Sequence, residues 1–363
     1  MIRLMFFRCG MLKMKEKIRK IIQDIREKTR VFFPFVRKKA SALRDGTVSL
    51  FRKMRNSFPA VEHSATSFFI KWWHLGIGGI FAVLVLYYPV GALIVHHIDV
   101  KLDFAARRVF FPTLPNTLSM LIRREISEHM FTPNKPFFYP TAFLDDMPAF
   151  QTGVITGVKN IAGILSMVNA QSEKLTEAAD RLSYSPFVWH VQNWKPAVSS
   201  VKKYKKAKNL LAEYQKSIEQ GEETFNVSEE ALSSIVEQIA QGLEECVEVL
   251  DARIRIGSRK TLDFQADDAF YVVKGQVYVY FLTLRDARRD FSKVFGNEKM
   301  EREWYKALES LENALILNPF AIVNASPASQ VAPNHLLNMG YYLSRAILAL
   351  KNFDQILLRL NDE

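Results

Sequence analysis

The side chains best suited to chemistry in this chain are Asp263, Gln265, Asp267 and Asp268, followed further along by Arg285, Asp286, Arg288, Arg289 and Asp290. Two carboxylates facing one cleft, one protonated and one ionised, can act as acid and base in the hydrolysis of an envelope polymer, and Asp267 and Asp268 are the candidates for that role. Carboxylates at the start of a helix have a simpler use, because they complement the helix dipole and cap free N–H groups. Asp286, Arg289 and Asp290 are likewise spaced for ordinary ion pairs one turn apart. No nucleophile motif, phosphate loop or metal motif accompanies them, so the structural reading outweighs the enzymatic one.

The histidines give no stronger signal. His96, His97 and Asp99 lie together, but adjacent histidines point to different faces, and neither an HxxxH nor a CxxC spacing occurs. No metal and no cofactor is expected. A repeat module is a third possibility. Gly275, Tyr278, Ala287 and Phe291, then Ala307, Leu311, Ala314 and Pro319, fall at spacings like those of a tetratricopeptide repeat, which would bind peptides. No 34-residue period joins the two sets.

Those residues have to be positioned by elements, and the sequence marks most of them by period. Helices are expected over 147–170, 173–184, 197–219, 228–256, 264–295, 300–317 and 334–361, with breaks at Pro186, Pro196, Gly221, Gly257, Gly296 and the 318–333 segment. The pair 197–219 and 228–256 carries apolar stripes through Tyr204, Leu211 and Tyr214 and through Ile235, Ile239, Leu243 and Cys246. An antiparallel hairpin about Gly221 is expected, with the lysines of the first helix facing the glutamates of the second. Cys246 falls on the apolar stripe and reads as a small buried hydrophobe. The stretch 269–284 is rich in β-branched and aromatic residues, and Lys274-Gly275 could be a hairpin turn. The helical register running through Tyr271, Gly275, Tyr278 and Leu282 favours one long buried helix.

Before all of this stands an uncharged run, Leu75 to Val95, with Lys71 the last charge ahead of it and Asp99 the first behind. At ~1.5 Å per residue it forms ~31 Å of helix, the thickness of a bilayer's hydrocarbon core. Trp72 and Trp73 mark one interface. Tyr87 and Tyr88 either mark the other or sit inside a longer helix kinked near Pro89. Gly78 and Ala82 form a small-residue pair through which a second span, from another copy of this chain, could pack.

Charge is divided by this run. Of 49 basic and 38 acidic residues, 18 and 5 lie in residues 1–71, a net charge of +13, which leaves a net −2 for the remainder. The high isoelectric point therefore belongs to the arm, and the folded part has no nucleic-acid signature. Basic residues are retained on the cytoplasmic side, so the N-terminus is expected inside. Cys9 and Cys246 then lie in different compartments and cannot pair. Residues 11–31 read as a basic amphipathic helix suited to anionic lipid.

Four segments follow from these boundaries. Residues 1–71 form a basic cytoplasmic arm, 72–98 a transmembrane helix with its interface, 99–145 a Pro-rich connection in which Asn116 could cap a short helix, and 146–363 a helical periplasmic domain. The fold class is mainly α, a single span followed by a bundle-like domain. The role expected is an anchored structural, scaffold or adaptor protein of the bacterial envelope with a protein partner there.

Three stretches, YYPVGALIVHHIDVKLDF, QADDAFYVVKGQVYVYFLTLRDARRDF and LNMGYYLSRAILAL, resemble a family of proteobacterial inner-membrane proteins with a domain of unknown function. The resemblance covers most of residues 72–360 and implies bacterial origin and single-span topology. It supplies no catalytic residues.

Overall fold

The computed structural model describes residues 63–361 except His97, 107–110, 144–145, 193–194, 258–262 and Phe264. The amphipathic segment 11–31 and Cys9 lie outside the described residues. The chain divides into two units, residues 1–81 and 82–363.

Helix α1 runs His63–Val95, and Lys71, Trp72, Trp73, Gly78, Ala82, Tyr87 and Tyr88 all lie on it. Its stretch Gly76–Val95 is long and apolar enough to cross a membrane, with a mean hydropathy of 2.1 and no buried residue. Trp73 is exposed, and Gly78 has open space around it.

The domain after α1 is helical. Helix α2 (Thr113–Arg123) passes directly into a π-helical turn, Arg124–Glu128. Then follow α3 (Asp146–Val168), α4 (Glu173–Leu182), α5 (Ser200–Glu219), α6 (Glu229–Gly257), α7 (Ala266–Asp290), α8 (Glu298–Leu315) and α9 (His335–Asn361). Among the described residues the only paired strands are Val191–Gln192 and Lys195–Pro196. The architecture is mainly α, one apolar helix and then a helical domain. Residues 269–284 are helix throughout, and no turn forms at Lys274-Gly275.

The centre of the domain is α3 against α7, two helices running parallel. Their backbones touch because glycine faces backbone at both contacts. A Cβ on Gly275 would lie 2.1 Å from the Phe150 carbonyl oxygen, and one on Gly153 would lie 2.0 Å from that of Val272. This explains Gly275 without a repeat: its close partner is α3, distant in sequence, rather than a neighbouring helix of a tetratricopeptide pair. Tyr280 ties a third helix in, accepting from Asn160 and Gln276 while its hydroxyl fills the space over Gly242 of α6.

Two expectations are overturned here. Helices α5 and α6 do not form a hairpin: α5 packs on α2 and α4, and α6 packs on α9, α7 and α3. The stripes are where the sequence puts them, with Tyr204, Leu211, Tyr214, Ile235, Ile239 and Leu243 buried, but neither covers the other: α4 and α2 cover the first, and α9, α7 and α3 the second. The charges follow suit, with Lys206 paired to Glu177 of α4 and Glu244 to Lys351 of α9. Opposite charge on two exposed faces is too weak a force to choose a partner when apolar area favours another. Asn116, for its part, is no N-cap. It lies within α2, whose first residues are Thr113 and Leu114. Leu114, Leu118, Leu121 and Ile122 put α2 in the domain's core, so the 99–145 segment is more than a connection.

Cys246 is buried, and burial pushes its thiol up to about 12, as expected of a small apolar side chain.

Candidate functional site

The chain leaving α1 is irregular, without regular structure over 98–101 and turning over 102–106. Ile98, Val100, Leu102 and Phe104 alternate inward and pack against the core. An irregular segment outside helix and sheet leaves carbonyls that need donors. Helix α7 supplies three, from residues that share one face at spacings of seven and four. The Tyr278 hydroxyl donates to the Lys101 carbonyl at 2.9 Å, the Arg285 guanidinium to that of Leu102 at 2.8 Å, and the Arg289 guanidinium to that of Ala106 at 3.0 Å. These bonds latch the exit of α1 onto the central helix.

Behind the latch lies a buried ion pair in the π turn, a kind of distortion that concentrates at functional places. Arg124 and Glu125 are 4% and 1% exposed. The guanidinium donates to Glu125 at 2.8 Å and to the Tyr278 hydroxyl at 3.0 Å, and it lies between the rings of Phe104 and Tyr278, 4.9 Å from each. The other Glu125 oxygen accepts from Gln151 of α3 at 3.1 Å, and Gln151 in turn accepts from the Thr132 amide and hydroxyl. Burial alone would push the Glu125 carboxyl up, but the facing His129 and Arg124 more than offset it and hold the carboxyl below its ordinary range. Burial likewise opposes the charge on Arg124, and Glu125 and Tyr278 overcome it.

The carboxylates at the end of α7 serve the same region. Asp290 caps α2 across space, accepting from the Thr113 amide at 2.7 Å, the Thr113 hydroxyl at 2.6 Å and the Leu114 amide at 2.9 Å. This is an N-cap supplied from another helix, in place of the Asn116 cap that the local sequence suggests. Burial pushes Asp290 up to about 6 despite these bonds, with Asp286 adding to the rise. Asp286 is fully buried, pairs with its neighbour Arg285 and accepts from Thr117. The pairs one turn apart expected within Asp286, Arg289 and Asp290 are therefore replaced by contacts to α2 and to the exit segment.

At the other end of α7 the acidic cluster is split. Asp263 and Gln265 are both held by Arg253 of α6, at 2.8 and 2.7 Å, and Asp263 also accepts from Asn324. Asp267 and Asp268 occupy the first turn of α7, half-buried, where Asp267 accepts the Asp268 amide at 3.1 Å. That is the placement a helix dipole favours. No group of three histidine, cysteine, aspartate or glutamate side chains able to hold a metal occurs among the described residues. Two open clefts, one of 440 Å³ beside Val95 and His129 and one of 760 Å³ at the far end of α3 beside Asn169 and Glu223, are lined by neither aspartate.

A third buried charge escaped the sequence reading. Lys274, 3% exposed in the middle of α7, donates to the Leu317 carbonyl at 2.6 Å just past the end of α8, and burial pushes its amine down to about 8. Cations belong at helix C-termini, and this one satisfies a carbonyl that α8 leaves free.

Together these residues hold an irregular segment and a helix end in place. Arg124, Glu125 and Gln151 carry no motif and could not be found by spacing, and the spacing that picks out Tyr278 points to a different role. The inward alternation from Ile98 to Phe104 was the available signal for the segment they serve.

Searches for related proteins returned no curated protein and no solved structure. The aromatic and acidic stretch around α7 and the one at the start of α9 fall inside a family match, and the stretch at the exit of α1 falls outside it. Residues 228–359, from just before α6 to near the end of α9, match a family described as an uncharacterized protein conserved in bacteria, DUF2333.

Proposed function

We propose that this chain is a single-span protein of the bacterial inner membrane whose helical domain stands on the periplasmic side and serves as a scaffold or adaptor in the envelope. The observation that carries this reading is the latch. The uncharged stretch that ends α1 is followed at once by a segment whose carbonyls are bonded to the central helix of the domain. A flexible tether would leave the domain free to swing, whereas this arrangement presents its surface at a fixed distance from the end of α1. The charge asymmetry supports an N-in orientation. The basic arm is suited to anionic lipid, and Gly78 with Ala82 to a second copy.

Crosslinking of the intact protein in its membrane tests the role. The scaffold reading expects a defined heteromeric or homomeric adduct that disappears when the latch is loosened by Arg285→Ala and Arg289→Ala together. Recovery of the monomer alone, across crosslinkers of several lengths, contradicts it.

A further inference from the structure

The loop before α3 carries Phe137, Phe138 and Tyr139, and their rings stack on one another and on Trp189 rather than in the core. Phe137 meets Phe138 at 5.6 Å, Phe138 meets Trp189 at 5.7 Å, and Tyr139 meets Trp189 at 6.3 Å. Phe137 is 80% exposed and Phe138 48%. Tyr139 and Trp189 are half-buried beneath them, so the cluster presents an apolar aromatic face at the surface.

The position of that face indicates what it meets. The Tyr88 hydroxyl donates to the Phe137 carbonyl at 3.2 Å and that of Tyr87 to the Phe138 carbonyl at 3.4 Å. Pro140 lies so close to Gly91 that a Cβ there would be 2.3 Å away. The cluster therefore lies alongside α1, four to eight residues before its end, which is ~6–12 Å back along the helix axis. On this side Tyr88, Gly91, Ala92 and Val95 are half-buried, while Leu86, Val90, Leu93 and Ile94 on the remaining faces stay exposed. The apolar surface of the helix thus runs on, without a break, into the aromatic loop.

We propose that Phe137, Phe138, Tyr139 and Trp189 form a second membrane contact, seated in the interfacial layer of the leaflet through which α1 leaves the bilayer. The inference rests on α1 being a membrane span. Aromatic side chains favour that layer because their rings are apolar and their polar tips reach headgroups. Loop carbonyls entering it need internal donors, and the Tyr87 and Tyr88 hydroxyls provide them. Lys135, whose ammonium stands 4.9 Å over the Tyr139 ring, places a cation at the level of lipid phosphates. Tyr87 and Tyr88 then lie at the level of the loop, and the domain meets the membrane at two points, α1 and the loop.

The test uses the full chain carrying Cys9→Ser in vesicles of phosphatidylethanolamine and phosphatidylglycerol. Cys246 is buried and shielded from the label. A single environment-sensitive label is placed at Phe137→Cys or, separately, at Ile77→Cys in the uncharged run. The proposal expects both labels to be quenched by nitroxides carried on the lipid and shielded from aqueous iodide, with the label at 137 quenched most by nitroxides near the headgroup. An Ile77 label in lipid with a 137 label open to iodide overturns the proposal and leaves the span intact. A 137 label shielded from both quenchers means that protein covers the cluster, a second copy or another chain, and also overturns it. An Ile77 label open to iodide overturns the span and the proposal together.

Discussion

Around the exit of α1 the domain buries Arg124, Glu125, Asp286 and Asp290, whereas on its α8–α9 side Trp304, Phe353 and Phe295 pack ring against ring at 4.8 to 5.5 Å. The difference follows from the backbone in each place. Helices α8 and α9 satisfy their own amides, so apolar side chains suffice to join them. The exit segment and the start of α2 have carbonyls and amides with no ladder, and buried polar side chains have to reach them. Charges were placed inside where the chain is irregular, and that is where it has to hold a fixed course away from α1.

The comparison can be broken in order of effect. Arg124→Met leaves Glu125 buried without its cation and should destabilise the domain by about 3–5 kcal/mol, read as a fall in the urea midpoint of the full chain in detergent. The double change Arg124→Met with Glu125→Leu should recover most of that loss. If it does not, the pair does more than neutralise itself. On the apolar side Trp304→Ala should cost about 3–5 kcal/mol as a cavity, with no second-site charge able to rescue it.

The pH response separates the two sides further. Asp290, raised from 3.8 to about 6 by burial, keeps its proton in the folded chain at pH values where the unfolded chain has lost it. Its contribution therefore favours folding at low pH and is lost as pH rises from about 4 to about 6, an effect of roughly 2–3 kcal/mol. Glu125, held below 4.5, acts in the opposite sense, stabilising above that value and losing its effect as pH falls. Asp290→Asn should remove the slope between pH 4 and 6 measured by urea unfolding, and Trp304→Phe should keep it.

Trp304→Phe should also be mild in itself, below about 1.5 kcal/mol, because the indole N–H is buried with no hydrogen-bond partner and its removal relieves that cost. The smallest effect is expected at Ala105, which turns the exit segment with φ at 59°. Ala105→Gly should stabilise by up to about 1 kcal/mol, since only glycine adopts that conformation without strain. A loss of stability there would mean that the turn is held by more than its backbone.

What the sequence reveals divides along the same line. The helices from α3 to α9 were legible because each carries a regular apolar stripe, and even the β-branched run of α7 kept its helical register through Tyr271, Gly275 and Tyr278. Their partners were not. The stripe of α5 fits α2 and α4 as well as it would fit α6, and the charges on the outer faces misdirect. Neither the cap from Asp290 to Thr113 nor the pair of Arg124 with Tyr278 has any local pattern, because both join residues more than 150 positions apart. The close approach of α3 and α7 hangs on Gly153 and Gly275, which look in sequence like weak points of a helix. The uncharged run of α1 and the charge change across it were the plainest signals in the chain, and they concern place rather than chemistry.

That place is the central claim, and a pair of reporter fusions tests it most directly. A reporter active only in the periplasm and one active only in the cytoplasm are joined in turn after Glu363. The account predicts activity from the periplasmic reporter alone. Activity from the cytoplasmic reporter with a silent periplasmic one would contradict it, and with it the reading of α1 as a boundary between compartments.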